Sequence, residues 1–141
     1  MATSNSAAQG DLIVDDTRAP VLRLRYAATF TEDEFARHIA ALNDVIDAVD
    51  GSFAIVADID DAPPPSSPIR AQCVDFWRRN KVRFKADLKS LTYVTHKRAM
   101  KGVVIAFNWF APLPTSFHFE RDVDTAVAKA EDRLRTSRPV D

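Results

Sequence analysis

The chain has 141 residues, of which 46% are hydrophobic and 28% are charged, and its formal net charge at pH 7 is −1. These proportions exclude an intrinsically disordered chain, and the length is enough for one domain to bury a core without disulfides or a structural metal. No uninterrupted apolar run is long enough to span a bilayer, so a membrane-spanning helix is also excluded.

Residues 1–10 have small and polar side chains. They have neither the basic start nor the apolar core of a secretory signal. We expect them to form a disordered tail. A single domain is predicted over residues 11–136, followed by a short tail at 137–141. Its first two strands are predicted at Asp11–Val14 and Val21–Tyr26, and the short turn between them favours an antiparallel hairpin.

The first helix has a clear start and a clear end in the sequence. Thr31 and Glu34 have the spacing of a capping box, in which each side chain accepts a hydrogen bond from a free backbone N–H. Phe30, just before the cap, is expected to pack against Phe35. Apolar residues then follow at helical spacing, at Phe35, Ile39, Leu42, Ile46 and Val49. Gly51 is expected to end the helix, since glycine adopts the left-handed conformation without strain.

A buried strand, a proline-rich corner and a second helix come next. Phe53–Ile59 is nearly all apolar, as a central strand covered on both faces would be. Pro63–Pro65 cannot continue a strand. Ser67 followed by Pro68 is typical of a helix start, with serine as the N-cap and proline at the first helical position. The apolar stripe of this helix is predicted to contain Ile69, Cys73, Phe76, Trp77 and Phe84.

Two more strand–helix pairs complete the domain. A short strand is predicted at Leu91–Val94 and a helix at Thr95–Phe110, with Thr95 as its cap, although the apolar middle of this stretch would also suit a strand. A last strand at Ser116–Phe119 precedes a helix capped by Asp122. The element order β-β-α-β-α-β-α-β-α predicts an α/β fold, with a mostly parallel mixed sheet of about five strands packed against helices.

Three short stretches add to this element order. They are Ala57-Asp58-Ile59 at the end of the apolar strand, the Ser66-Ser67 pair at the next helix, and Lys97-Arg98-Ala99 leading to Asn108-Trp109-Phe110-Ala111-Pro112. With them, the chain resembles the STAS superfamily, the fold of bacterial anti-sigma-factor antagonists, over Leu12–Leu134. More closely, it looks like divergent bacterial STAS-like domains of unassigned activity. The resemblance implies a non-enzymatic regulatory or signalling domain that acts by protein–protein interaction.

The resemblance also implies a role for the serine pair. In the antagonists, a serine at the start of the second helix is phosphorylated by a partner kinase, and this breaks binding to that kinase. The pattern there is Asp-Ser-Ser-Gly followed by an aliphatic residue, whereas this chain has Pro65-Ser66-Ser67-Pro68-Ile69. Ser66 and Ser67 are therefore a candidate phosphorylation or anion site, and the free N–H groups of a helix start favour an anion there. Helix capping by Ser67 is the structural alternative.

The second helix and its surroundings are strongly basic. The segment Arg70–Lys101 has ten lysines or arginines against two aspartates, whereas the residues before it are predominantly acidic. This asymmetry favours an acidic protein partner or a second copy of the chain, unless the cations only solvate two helices. Trp109 and Phe110 precede a proline turn, and we expect them to be partly exposed and to add an apolar region to this basic surface. The candidate partner-binding residues are Arg70, Arg78, Arg79, Lys81, Arg83, Trp109 and Phe110.

The sequence contains no catalytic or metal-binding constellation. His38, His96 and His118 lie in different elements and are interpreted as surface or cap residues, so neither a metal nor a cofactor is predicted. The aspartates within Asp58–Asp61 have no nucleophile or base beside them, so no enzymatic activity is predicted. The single Cys73 cannot form an internal disulfide and indicates a reducing, cytoplasmic environment.

Two alternatives concern the aromatic residues. One or more of Trp77, Phe107, Trp109 and Phe110 could line a pocket between helices and sheet, which would make the chain a carrier or sensor of a small apolar or lipid-like ligand. Nucleic-acid binding is disfavoured, because the aromatic residues of the second helix share its inward stripe while its charges face outward. That arrangement presents no platform on which bases could stack.

Overall fold

A computed structural model of the chain describes residues 12–113 and 115–136, apart from the side chain of Phe110. The tails predicted at residues 1–10 and 137–141 lie outside the described residues. The strands in the described ranges are β1 Ile13–Asp15, β2 Val21–Arg25, β3 Phe53–Asp58, β4 Leu88–Val94 and β5 Phe117–Glu120. The helices in the same ranges are α1 Glu32–Ala48, α2 Ser67–Arg79, α3 Lys81–Asp87, α4 Arg98–Phe110 and α5 Val123–Thr136.

The strands lie in sequence order across one sheet. β1 and β2 are antiparallel, as the predicted hairpin requires, while β2, β3, β4 and β5 are parallel to one another. Leu24 of β2, Ala57 of β3 and Tyr93 of β4 form one row across the sheet. The predicted α/β order and the mostly parallel sheet are therefore confirmed, with α3 as an additional short helix.

Helices cover both faces of the sheet. On one face α5 packs against apolar side chains of β2, β3 and β4, and its residues Ala126, Val127 and Ala130 are buried there. On the other face α1, α2, α3 and α4 share one apolar cluster with the sheet. β3 lies in the middle and is buried on both faces, which explains its apolar sequence without alternation. No helix in the described part of the chain is long and apolar enough to cross a membrane.

The first helix forms as the sequence predicts. The Thr31 hydroxyl accepts a hydrogen bond from the Glu34 N–H at 3.0 Å, and the Glu34 carboxylate accepts one from the Thr31 N–H at 2.7 Å. The rings of Phe30 and Phe35 stack with centroids 5.7 Å apart. Gly51 follows the helix with φ of 89°, a left-handed conformation that glycine adopts at low cost. Local side-chain chemistry thus determines the start of α1, whereas the helix ends at Ala48 with an extended Val49 as its C-cap, two residues before Gly51.

The second helix begins one residue earlier than predicted. Ser66 rather than Ser67 is the N-cap, and its hydroxyl accepts a hydrogen bond from the Ile69 N–H at 3.4 Å. Pro68 then lies in the first turn, where the N–H that proline lacks would have no helical partner. The predicted corner and helix are both present, with the cap moved by one position.

The predicted second helix is also divided into α2 and α3, because it breaks at Asn80. Asn80 is buried, and its side-chain amide donates to the Phe76 carbonyl at 3.0 Å and to Asn43 Oδ1 at 2.9 Å. Since Asn43 belongs to α1, these bonds hold the break against a neighbouring helix. The apolar stripe predicted for one helix is therefore shared by two.

Among the later elements, α4 and β4 begin at other residues than predicted, whereas the final helix has the predicted cap. α4 begins at Arg98 with Lys97 as its N-cap, and no side chain caps it. The predicted cap, Thr95, is fully buried, and its hydroxyl donates to Asp60 Oδ1 at 3.0 Å and accepts from the Lys97 N–H at 3.1 Å. β4 starts at Leu88, before its predicted start. The final helix is capped as predicted, by the carboxylate of Asp122.

Candidate functional site

The proline corner between β3 and α2 lies at the surface. Pro64, Ser66 and Ser67 are exposed. The Arg70 guanidinium lies across the start of the helix and donates to the Pro65 carbonyl and to the Ser67 hydroxyl, each at 2.8 Å. The Ser66 hydroxyl therefore serves α2 as its cap, while the Ser67 hydroxyl lies against a cation.

Arg83, a candidate partner-binding residue, is bound within the fold. Its Nη2 donates to the carbonyls of Val49 at 2.8 Å and Gly51 at 3.0 Å. Its Nη1 donates to the Ile46 carbonyl at 3.1 Å, and its Nε forms an ion pair with Asp87 at 2.6 Å. Arg83 thus satisfies carbonyls at the end of α1, where the helix itself offers no partner.

Three further cations of α2 and α3 differ in whether they contact the rest of the fold. Arg79 forms an ion pair with Asp47 of α1 at 2.9 Å. Arg78 and Lys81 are exposed, and neither makes an ion pair with any residue in the ranges 12–113 and 115–136. Val82, beside them, is 83% exposed. This end of the helical segment therefore presents two cations and one apolar side chain to solvent.

α4 has apolar side chains on two opposite sides. The side chains on its inner side are Met100, Val103, Val104 and Phe107. On its outer side Ile105 is 45% exposed and Trp109 is 81% exposed, and Gly102 and Ala106 are exposed on the same side. A helix that is apolar all round is ordinarily buried on all sides. The outer side of α4 is thus an apolar surface, and the side chain of Phe110 lies outside the described residues.

The topology divides the candidate residues into two groups. α2 and α4 run antiparallel to the strands, because each leads from the end of one strand to the start of a parallel neighbour. Ser66, Ser67 and Arg70 therefore lie at the edge where the strands end. Arg78 and Trp109, at the C-terminal ends of the two helices, lie at the edge where the strands begin. Since α2 has 13 residues, the groups are about 20 Å apart.

A cavity of about 150 Å³ lies beneath α1, α2 and α4, over the middle of the sheet. Trp77 of α2 and Phe107 of α4 line it, as the sequence suggests for them, whereas Trp109 does not line it and is exposed instead. Ala57 lies on the cavity floor, in the row between Leu24 and Tyr93. Its small side chain leaves space that a larger residue would occupy.

The polar groups that line the cavity are uncharged. Among the described lining residues none is Asp, Glu, Lys, Arg or His. Burial raises the pKa of the Cys73 thiol to about 12. Burial also raises the pKa values of Tyr26 and Tyr93 well above the ordinary value, and the nearby Cys73 adds to both shifts. The three groups are therefore neighbours, and they stay protonated at neutral pH.

His38 lies in the core, and its interpretation as a surface or cap residue is wrong. It is 5% exposed, and its Nε2 lies 3.1 Å from the hydroxyl of Tyr26. Its Nδ1 is buried without a hydrogen-bond partner in the described part of the chain. Burial lowers the pKa of His38 to about 4, so the imidazole is neutral at pH 7. The signal that could have revealed this is its spacing between Phe35 and Leu42, on the apolar side of α1.

The acidic residues after β3 are used within the fold. Asp60 Oδ1 accepts hydrogen bonds from the Thr95 hydroxyl at 3.0 Å and from the His96 N–H at 3.1 Å. Although burial raises it, these hydrogen bonds hold the pKa of Asp60 below its ordinary value. Within the described ranges, no group of three or more His, Cys, Asp or Glu side chains could hold a metal ion.

Comparison with known proteins bears on the fold. No family model matches the chain, and no curated protein matches it. The crystal structure of an uncharacterized protein from the DUF3478 family, with a SpoIIAA-like fold, from Shewanella loihica PV-4 is similar to it with a TM-score of 0.61. The similarity covers 91% of this chain and 99% of that one, at 13% sequence identity. The chain therefore has a SpoIIAA-like, or STAS-like, fold, as the sequence predicts.

Proposed function

We propose that this chain, given its SpoIIAA-like fold, is a non-enzymatic bacterial regulatory domain of the cytoplasm that binds another protein. The contact surface that we infer consists of Trp109 and Ile105 of α4 together with Arg78 and Lys81. The observation that carries this proposal is the 81% exposure of Trp109, on a helix whose opposite side already packs over the sheet.

The chemistry of this contact surface is typical of protein interfaces. Tryptophan and arginine are the residues that most often dominate binding energy, and Trp109 and Arg78 lie at the same edge of the sheet. Cations around an apolar centre increase the rate of encounter with an acidic partner. We therefore expect a partner with an apolar pocket bordered by carboxylates. A second copy of the chain would also fit, because the residues before Arg70 are predominantly acidic.

The serine corner is a separate part of the proposal. A phosphate on Ser67 would meet the Arg70 guanidinium, whose Nη2 is 2.8 Å from the Ser67 hydroxyl, in a charge-assisted hydrogen bond. A phosphate on Ser66 would instead replace the hydroxyl that caps α2. We therefore propose Ser67 as the phosphorylated serine. Mass spectrometry of the chain isolated from its own cells tests this, and phosphate found on Ser66 alone would contradict it.

Photocrosslinking in cells tests the contact surface. Trp109→p-benzoylphenylalanine keeps a large aromatic side chain at the centre of the surface, and we expect it to crosslink one protein species. Ala128→p-benzoylphenylalanine is the control, since Ala128 is exposed on α5, on the opposite face of the sheet. A species crosslinked equally from both positions, or no crosslink from position 109, would contradict the proposal.

The cavity favours a second candidate function, a carrier or sensor of a small apolar ligand. Small-molecule sites commonly have apolar walls with a few polar groups, as this cavity has. Native mass spectrometry of the purified chain would detect a bound molecule as additional mass. Ala57→Leu, which fills the cavity floor, is expected to remove that mass. Additional mass that this variant retains would place the molecule elsewhere and contradict the second candidate.

A further inference from the structure

We propose that the cavity binds a small uncharged molecule about the size of a substituted benzene ring, and that the hydroxyls of Tyr26 and Tyr93 donate hydrogen bonds to an acceptor atom on it. This inference rests on the proposed carrier or sensor function and names the chemistry of the ligand. It separates such a molecule from a fatty acid, which is longer and carries a negative charge.

The volume of the cavity limits the size of the ligand. An apolar cavity of about 150 Å³ in another protein stays dry and binds benzene. The cavity beneath α1, α2 and α4 has a similar volume, about 150 Å³, and its walls are also mainly aromatic and aliphatic. A single ring with a short substituent is therefore enough to fill this volume.

The lining of the cavity disfavours a charged ligand. Among the described lining residues no side chain carries a charge, and burial keeps Cys73, Tyr26 and Tyr93 protonated. An ion that entered would lose its hydration without gaining an opposite charge. A neutral molecule loses far less hydration free energy when it enters the cavity.

The contact between His38 and Tyr26 leaves one proton free to donate. A neutral imidazole has a single N–H, at either Nε2 or Nδ1. With the proton on Nε2, His38 donates to the Tyr26 oxygen 3.1 Å away, and only a lone pair at Nδ1 is without a partner. With the proton on Nδ1, a buried donor would be orphaned, which proteins tolerate less well. The first arrangement is favoured, and it leaves the Tyr26 O–H available to a ligand.

Tyr93 provides the second donor. Its hydroxyl makes no hydrogen bond with any described residue, and the side chain is only partly buried, so the O–H is available to a ligand. Tyr26 directly follows β2, two residues beyond Leu24, and Tyr93 lies on β4, so the two tyrosines belong to the strands on either side of β3. Both tyrosines line the cavity. A ligand above β3 can thus reach a donor from each of the two neighbouring strands.

Three probes of similar shape test the inference by isothermal titration calorimetry. Acetophenone has a carbonyl acceptor, α-methylstyrene has a methylene group in place of that oxygen, and benzoate carries a negative charge. We expect one acetophenone to bind per chain, with an affinity about 2- to 10-fold higher than that of α-methylstyrene, as a neutral hydrogen bond provides. Benzoate is expected to bind at least about tenfold more weakly than acetophenone.

Substitutions then locate the site and its donors. In Tyr26→Phe/Tyr93→Phe, the affinity for acetophenone is expected to fall to that for α-methylstyrene. The affinity for α-methylstyrene should remain unchanged, which shows that the cavity is intact. Ala57→Leu is expected to remove binding of both neutral probes. If Ala57→Leu does not fold, the smaller change Ala57→Val is expected to weaken the binding of both.

Each negative result would contradict a different part of the proposal. Benzoate that binds as tightly as acetophenone, or equal affinities for the two neutral probes, would overturn the proposed ligand class and leave the carrier function standing. A preference for acetophenone that persists in Tyr26→Phe/Tyr93→Phe would overturn the assignment of the donors. If the wild-type chain binds none of the probes, or if binding persists unchanged in the folded Ala57 variant, the carrier function fails as well.

Discussion

Arg78 and Arg83 are close in sequence, but their guanidinium groups have different surroundings. Arg78 is exposed at the C-terminal end of α2. Arg83 connects α3 to the carbonyls of Ile46, Val49 and Gly51 at the end of α1. At the scale of the residue, a cation of this segment therefore either stabilises the fold or is available to a partner, depending on which backbone groups lie within its reach.

Loss of Arg83 is expected to destabilise the chain. In Arg83→Ala the carbonyls at the end of α1 lose charge-assisted hydrogen bonds, which should lower the free energy of unfolding by about 2–3 kcal/mol in urea denaturation. Arg83→Lys should recover only part of this, since an ammonium group lacks the planar fork that reaches several carbonyls. Arg78→Ala is the control, with an expected change within about 0.5 kcal/mol. Similar small changes for the two alanine variants would contradict the structural role of Arg83.

His38 is expected to make stability dependent on pH. Burial lowers the pKa of His38 to about 4, whereas an unfolded histidine titrates near 6.5, so the unfolded chain gains the proton first as the pH falls. The contribution of His38 is complete above pH 6.5 and is lost between pH 6.5 and 4, by roughly 3 kcal/mol. The difference in unfolding free energy between wild type and His38→Gln should therefore shrink from pH 7.5 to pH 5. A constant difference would show that His38 does not titrate in this way.

At the scale of the element, the local sequence indicates where α2 begins better than it indicates where α2 ends. The prolines and the serine pair indicate a helix start, but either serine could cap a helix with proline in its first turn. The break at Asn80 has no local signal, because it depends on Asn43, 37 residues earlier in the chain. Only the packing of α1 against α2 brings the two amides together.

The two serines are expected to differ when they are substituted. Ser66→Ala removes the hydroxyl that accepts from the Ile69 N–H, and should lower the free energy of unfolding by about 1 kcal/mol. Ser67→Ala removes only an exposed contact with Arg70, and should change it by less than about 0.5 kcal/mol. Thermal denaturation of the two variants measures this order, and the reverse order would identify Ser67 as the cap.

The ambiguity of α4 in the sequence has a physical cause. Helix and strand are distinguished by the period at which apolar residues alternate with polar ones, and α4 has few polar residues on any side. Its inner side faces the cavity, and its outer side exposes Trp109. The feature that obscures the element type is therefore the same feature that supports the proposed contact surface.

At the scale of the whole molecule, α2 and α4 contribute to both candidate sites. Trp77 and Phe107 line the cavity, while Arg78 and Trp109, close to them in sequence, belong to the proposed contact surface. A ligand that binds more tightly to one position of α2 and α4 than to another would increase the fraction of molecules in that position. The contact surface would change with it, so the chain would act as a sensor of the ligand. The sequence predicts the aromatic lining, but the small residue on the floor is recognisable only once strand register is known.

The cavity is expected to lower the stability of the chain. Apolar side chains that border unfilled space lose van der Waals contacts that a filled core would give them. Ala57→Val, which fills part of the cavity, should raise the free energy of unfolding by about 0.5–2 kcal/mol. Ala54→Val is the control on the same strand: Ala54 is fully buried beneath α5, so the extra methyl groups should destabilise by about 1–3 kcal/mol. Equal destabilisation by both variants would show that the space above Ala57 cannot accept a larger side chain.

The most direct test of the proposed contact surface is the dissociation constant of the partner that crosslinks at position 109. It should be measured for wild type, for Trp109→Ala/Arg78→Glu/Lys81→Glu, and for Arg37→Glu/Arg121→Glu, which makes the same change in charge at exposed positions elsewhere. We expect the first variant to bind at least about 30-fold more weakly, as the loss of a dominant tryptophan implies, and the second to stay within about threefold of wild type. Unchanged binding by the first variant, or equal weakening in both, would contradict the proposed surface.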